Sequence, residues 1–134
     1  TEVRVADLEA DLEADLVVED RGAVRLVRLE RPATKNALTL DLVEALHEAL
    51  AAAEGERSVR ALVLSGVPGA FCSGADLRWL LREVENGGQV LPALERFQAL
   101  TLRLVELSKP VVASVTGPAV GFGADLALAP GAAQ

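Results

Sequence analysis

One cysteine, one histidine, no tyrosine and no methionine stand among the 134 residues. Cys72 has no partner in its own chain, which excludes an intramolecular disulfide. A zinc site needs more ligands than His47 and Cys72 supply, so no metal is expected. A Ser-His-Asp triad would have to be built on His47, and nothing places that residue beside a serine loop. His47 follows Leu46 on the flank of a predicted helix and reads as a surface or boundary residue. Cys72 reads as a small buried residue in a packed loop rather than as a nucleophile. Aromatics are limited to three Phe and one Trp, so the core must be aliphatic, built from Leu, Val and Ala.

Excess positive charge is also missing. The net charge is −7, and residues 1–20 hold eight acids against one base, which leaves the other 114 residues neutral. With no basic stripe to neutralise phosphates, nucleic-acid binding is not expected. The longest uncharged stretch, from Pro110 to Ala124, is interrupted by two Pro and three Gly, so it is no membrane span. The N-terminus is acidic where a secretory signal would be basic and then apolar, and a soluble cytoplasmic protein is expected. The length suits one domain. Residues 1–15 carry the repeat Ala-Asp-Leu-Glu and read as an acidic, solvated, low-complexity extension; like charges at Asp7, Asp11 and Asp15 oppose a stable helix. Residues 16–134 form the expected core.

What is present alternates in period. Residues 16–20 and 24–30 predict two strands about Arg21-Gly22, with Val27 and Leu29 sharing one face of the second. Thr39 predicts an N-cap for a helix from Leu40 to about Glu54, with Leu42, Val43, Leu46 and Leu50 on its apolar stripe. The apolar runs 61–65 and 111–115 predict buried parallel strands that need cover on both faces. Helices are predicted from Asp76 to about Glu85 and over 91–108, and a further helix after Gly123. Strand, helix, strand, helix, strand is an α/β arrangement.

Two glycine-rich turns, 66–74 and 117–123, follow the two buried strands. Neither carries phosphate chemistry. The first has the outer spacing of a P-loop, but Ala75-Asp76 stands where Lys-Ser/Thr is required. The second begins as a dinucleotide fingerprint, yet Leu126 occupies the third glycine position. Such turns leave free backbone N–H groups at helix N-termini, and two facing turns can cradle one developing negative charge. Read from the residues alone, they are equally explained as purely structural turns.

Three segments carry a resemblance: Leu29-Glu-Arg-Pro-Ala-Thr-Lys-Asn-Ala-Leu38, Ala70-Phe-Cys-Ser-Gly-Ala-Asp-Leu77 and Lys109-Pro-Val-Val-Ala-Ser-Val-Thr-Gly-Pro-Ala-Val-Gly-Phe-Gly-Ala-Asp-Leu-Ala-Leu128. In order and spacing they resemble the signature blocks of the crotonase (enoyl-CoA hydratase/isomerase) superfamily, over about residues 16–129. The resemblance implies a crotonase-type ββα spiral acting on acyl-CoA thioesters, with no cofactor beyond the coenzyme A of the substrate. It implies an oxyanion hole from the N–H groups of Ala75 and Phe122, with Asp125 where hydratases carry the first of two catalytic glutamates. It implies a CoA site along Ala75, Asp76, Leu77 and Arg78, with Lys35 and Ala37 nearby. Hydration of a 2-enoyl-CoA is the leading expectation. Isomerisation or decarboxylation with one carboxylate, or a non-catalytic module, are the alternatives. The family pattern has a second acid and C-terminal helices beyond Gln134. A trimer-based homo-oligomer, or association with a partner chain that covers an exposed apolar patch, is therefore also expected.

Overall fold

The structure, a computed structural model, describes residues 15–132. The expectation for the acidic repeat falls on residues outside these, apart from Asp15, whose carbonyl accepts the Glu30 N–H at 2.8 Å.

Two strands, β1 (Leu16–Arg21) and β2 (Val24–Leu29), form an antiparallel hairpin. Gly22, the first of its two loop residues, takes φ +61°, as a two-residue hairpin turn demands and a side chain resists. Polar positions are paired across the strands. Arg25 forks onto both oxygens of its register partner Asp20, at 2.7 and 2.9 Å. Arg28 reaches the buried Glu19 at 3.2 Å. Val27 and Leu29 face the core, as the alternation predicts.

Strands β3 (Ala61–Ser65) and β4 (Val111–Ser114) join in parallel, giving a four-stranded mixed sheet of order β1-β2-β3-β4. Parallel neighbours need long crossovers. The first is α1 (Leu40–Gly55), and the second contains α2 (Leu77–Glu85) and α3 (Val90–Glu106); α4 (Phe122–Ala132) follows β4. Thr39 caps α1 as expected, its hydroxyl accepting the Leu42 N–H at 3.2 Å. Leu42, Val43, Leu46 and Leu50 are all buried, joined by Leu62, Leu64, Leu100, Leu104 and Leu126 in one aliphatic core.

The faces of the parallel strands are not equally covered. Leu62 and Leu64 are buried, but Val112 in β4 is 54% exposed, and Val115, Val120 and Leu128 are exposed as well. Along α2, Leu77, Leu81 and Val84 form a second exposed apolar line, and no residue of that helix is fully buried.

His47 corrects the sequence reading. It is buried, not at the surface: its Nε2–H donates to the Arg96 carbonyl and its Nδ1 accepts the Arg103 Nε–H, both at 3.0 Å. Helix α3 packs across α1 at that point, which the pattern of α1 alone does not reveal. Burial, helped by the charges of Arg96 and Arg103, pushes its pKa below the usual imidazole value, so the ring is neutral and structural.

Candidate functional site

The site is built where the chain leaves the C-terminal ends of β2, β3 and β4. Three loops leave those ends, and they pair side by side in strand order. Leu38 bridges to Ala75, and Cys72 bridges to Ala119. The loop 66–76 is therefore held between the loops 31–39 and 115–121.

The first loop is fixed by an asparagine. After a 3-10 turn at Pro32–Thr34, Lys35 and Asn36 adopt φ +53° and +60°, a left-handed conformation that asparagine tolerates better than most residues. Asn36 is fully buried. Its Oδ1 accepts the Arg31 N–H at 2.6 Å, and its Nδ2 donates to the carbonyls of Ala70 and Phe71 at 3.2 and 3.0 Å. The side chain thus clamps the first loop to the second. It was missed in the sequence reading, because the carbonyls it clamps lie 34 and 35 positions away in the chain.

Asp76 has two jobs. Its Oδ1 caps α2 by accepting the Trp79 N–H at 3.0 Å, and its Oδ2 accepts from Arg31 at 2.9 Å. Burial raises its pKa, but the Trp79 N–H and the Arg31 guanidinium outweigh that and hold it below the usual carboxylate range. The turn at Ala75 is therefore anchored from both sides.

The register now decides where the amides point. Leu38 donates to the Gly74 carbonyl, and Asp76 donates to the Leu38 carbonyl, both at 2.7 Å. Neighbouring peptide groups of an extended segment point to opposite sides, so the Ala75 N–H is turned away from Leu38. That is the side on which the segment 118–122 runs, paired to Cys72 through Pro118 and Val120. Gly74, at φ +96°, lies against this segment: a Cβ built on it would sit 3.0 Å from the Val120 carbonyl oxygen and 3.6 Å from the Phe122 nitrogen. Gly123 holds the start of α4 equally close, with a Cβ on it only 2.8 Å from the Cys72 carbonyl carbon. The Phe122 N–H and the Ala75 N–H are thus neighbours across Gly74. Among the described residues neither donates to a backbone acceptor. Phe122 opens α4, where the aligned peptide dipoles place a partial positive charge.

Two clefts meet at Ala75. One, of about 600 Å³, is lined by Ala75, Phe97, Gln98, Thr101, Phe122 and Asp125, with Leu94, Leu102 and Val105 completing it. Asp125 lies one turn after Phe122 and so shares its helix face. The other, of about 450 Å³, is lined by Ala37, Ser73, Ala75, Asp76, Leu77 and Arg78, together with Ala33 and Thr34. Of the sequence-predicted positions, the structure brings Ala75, Phe122 and Asp125 to the first cleft and Ala37, Ala75, Asp76, Leu77 and Arg78 to the second. Lys35 is exposed next to the second but does not line it. Cys72 lies between the loops with no solvent exposure, and burial pushes its thiol up to about 11.

An aromatic run was also missed. Trp79 stacks on Phe97 with centroids 5.9 Å apart, and Phe97 meets Phe122 edge-on at 5.4 Å. Three of the chain's four aromatic rings thus tie α2, α3 and α4 together at the first cleft. No helix of the described residues is long and apolar enough to cross a membrane.

Residues 19–131 match the family described as enoyl-CoA hydratase/isomerase. The Mycobacterium leprae protein named "Probable enoyl-CoA hydratase" is 39% identical over 132 residues, covering 93% of this chain and 45% of its own length. The human mitochondrial methylglutaconyl-CoA hydratase is 34% identical over 129 residues, covering 96% of this chain and 35% of its own. Among solved structures, a Pseudomonas aeruginosa protein superposes with a TM-score of 0.81 at 41% identity, over 90% of this chain and 52% of that one. The enoyl-CoA hydratase of Bacillus anthracis superposes with a TM-score of 0.76 at 29% identity, over 86% and 45%. The chain therefore spans about half or less of the length of these relatives. By the match over residues 19–131 and by its crotonase-type α/β fold, the chain belongs to the enoyl-CoA hydratase/isomerase family.

Proposed function

We propose that this chain binds an acyl-CoA thioester at Ala75 and hydrates a 2-enoyl group. The observation that carries the reading is the pair of unengaged N–H groups, Ala75 and Phe122, at the junction of two clefts. A thioester carbonyl seated there accepts from both. The CoA arm then follows the cleft along 33–37 and 73–78, where Arg78 and the exposed Lys35 offer positive charge to phosphates. The acyl arm enters the cleft between α3 and α4.

In the reaction, the Asp125 carboxylate takes a proton from water as the water oxygen bonds to C3. The double-bond electrons move to the thioester oxygen, and the two N–H groups hold the resulting enolate. C2 then takes the proton back from Asp125, which restores the carboxylate and the carbonyl, so one water is added and nothing else is consumed. Removing one N–H of such a hole typically raises the barrier by about 2.7–4 kcal/mol.

One observation favours a second reading, movement of a double bond between C3 and C2. Among the described residues Asp125 is the only ionisable group lining the acyl cleft, and a single carboxylate suffices to carry a proton between C2 and C4. The test is to supply crotonyl-CoA and a 3-enoyl-CoA to the protein and to Asp125→Asn. Hydration is expected from the protein and lost in the variant, with butyryl-CoA still binding to both. Conversion of the 3-enoyl substrate alone would select the second reading. Butyryl-CoA binding no tighter than free CoA would sink both.

A further inference from the structure

We infer that the acyl cleft selects an acyl group bearing a neutral oxygen, a hydroxyl or keto group, beyond the reacting carbons, and that Thr101 reads it. This rests on the acyl-CoA reading above and narrows it to a substrate class.

The starting point is an unpaired hydroxyl. Thr101 lies in the interior of α3, and its Oγ1 is enclosed yet has no hydrogen-bond partner among the described residues. A threonine inside a helix ordinarily satisfies its hydroxyl on the carbonyl four residues back, here that of Phe97, and this one does not. A buried polar atom left unpaired calls for an explanation, and it is the only side-chain atom of that kind among the described residues.

Its position supplies the explanation. Thr101 lines the cleft that holds Ala75, Phe122 and Asp125. It stands four residues after Phe97, about 6 Å along the helix axis. Phe97 packs against Phe122, whose N–H borders the proposed thioester position, and Thr101 lies one helical turn from Phe97 on the same cleft wall. Gln98, three residues earlier, is exposed and lines the same cleft. Leu94, Leu102 and Val105 make the remainder of this wall apolar, so the two polar groups form an isolated polar step on an otherwise apolar track. Threonine divides between two rotamers in helices, so a χ1 step is available to turn this enclosed hydroxyl toward the cleft.

The charge of the cleft fixes the chemistry of the group recognised. Asp125 is the only ionisable lining residue among the described residues, so an acyl group ending in a carboxylate meets a like charge. A hydroxyl or ketone meets no such repulsion. The threonine hydroxyl donates to a ketone and accepts from a hydroxyl, and the Gln98 amide can do either.

The experiment compares binding of hexanoyl-CoA, 5-hydroxyhexanoyl-CoA, 5-oxohexanoyl-CoA and adipoyl-CoA to the protein and to Thr101→Val, Thr101→Ser and Thr101→Ala. The neutral oxygenated chains are expected to bind about tenfold tighter than hexanoyl-CoA, and adipoyl-CoA no tighter than hexanoyl-CoA. Thr101→Val replaces the hydroxyl by a methyl of similar size. It should erase the preference, so that the neutral oxygenated chains bind this variant no tighter than hexanoyl-CoA does, and it should melt at or above the parent temperature, because an unpaired buried hydroxyl is gone. Thr101→Ser should retain the preference, and Thr101→Ala should lose it should the valine variant fail to fold. Acyl-CoAs that bind with no preference for oxygen, or a preference that survives in Thr101→Val or Thr101→Ala, overturn this inference and leave the acyl-CoA reading standing. If none of the four binds better than free CoA, the acyl-CoA reading itself fails and this one with it.

Discussion

Gly74→Ala is the most direct perturbation of the site, because one added carbon acts on both N–H groups. Gly74 sits at φ +96°, beyond the left-handed region that side-chain-bearing residues enter at modest cost. Holding alanine there costs about 1–3 kcal/mol. The new Cβ would also stand 3.0 Å from the Val120 carbonyl oxygen and 3.6 Å from the Phe122 nitrogen. Neither is the end of a flexible side chain, so backbone must yield. For a domain of this size the conformational cost alone lowers the melting temperature by about 4–12 °C. The functional loss is expected to be larger than the loss of folded protein. Moving the Phe122 N–H away from the Ala75 N–H by about 1 Å is enough to cost on the order of a hundredfold in rate. The assay is turnover of crotonyl-CoA, measured well below the variant's melting temperature, beside a thermal melt and butyryl-CoA binding. The expected pattern is a kcat lowered at least about a hundredfold, with butyryl-CoA binding weakened much less. A variant that melts and turns over like the parent would show that the two N–H groups do not act on one atom.

Asp76→Ala removes both a helix cap and the partner of Arg31, and should destabilise by about 2–4 kcal/mol in chemical denaturation. Asp76→Asn keeps a capping oxygen and should cost less; equal losses would mean that the cap contributes nothing beyond the Arg31 pair. Because the Asp76 pKa is lowered in the fold, its carboxylate contributes stability above its unfolded pKa and loses it as the pH falls through the folded one. The asparagine variant should therefore show a flatter decline in acid, and an unchanged acid limb would contradict the assignment. The raised Cys72 thiol predicts no reaction with an aromatic disulfide reagent at pH 8 until the protein is unfolded. Its stability contribution is present below 9.0 and lost as the pH rises toward about 11, a slope that Cys72→Ala should remove. Rapid labelling of the folded protein would place the 66–76 loop at the surface instead of in the core.

The local elements were legible because local chemistry sets them. Thr39 followed by the Leu42, Val43, Leu46 and Leu50 stripe favours α1, and the short apolar run 61–65, closed by Gly66, suits a strand. The glycine turns were visible too, but their meaning was not: from the residues they could be structural turns, and only the family resemblance gave Ala75 and Phe122 a role.

What the tertiary structure decided are contacts between segments far apart in the chain. The bridges Leu38–Ala75 and Cys72–Ala119 set which way the Ala75 amide faces, and a shift of one residue in either would reverse it. Gly74 meets Phe122 across 48 positions only because parallel pairing of β3 and β4 sends both following loops to the same end of the sheet. Asn36 becomes a clamp, and His47 a buried neutral ring, because loop 66–76 and helix α3 pack onto them; neither residue's own neighbours in sequence carry that information. The cleft wall from Trp79 through Phe97 to Phe122 likewise exists only once three helices have converged. Periodicity records which face of an element is apolar, whereas register and packing select which atoms of distant loops come within reach of one substrate.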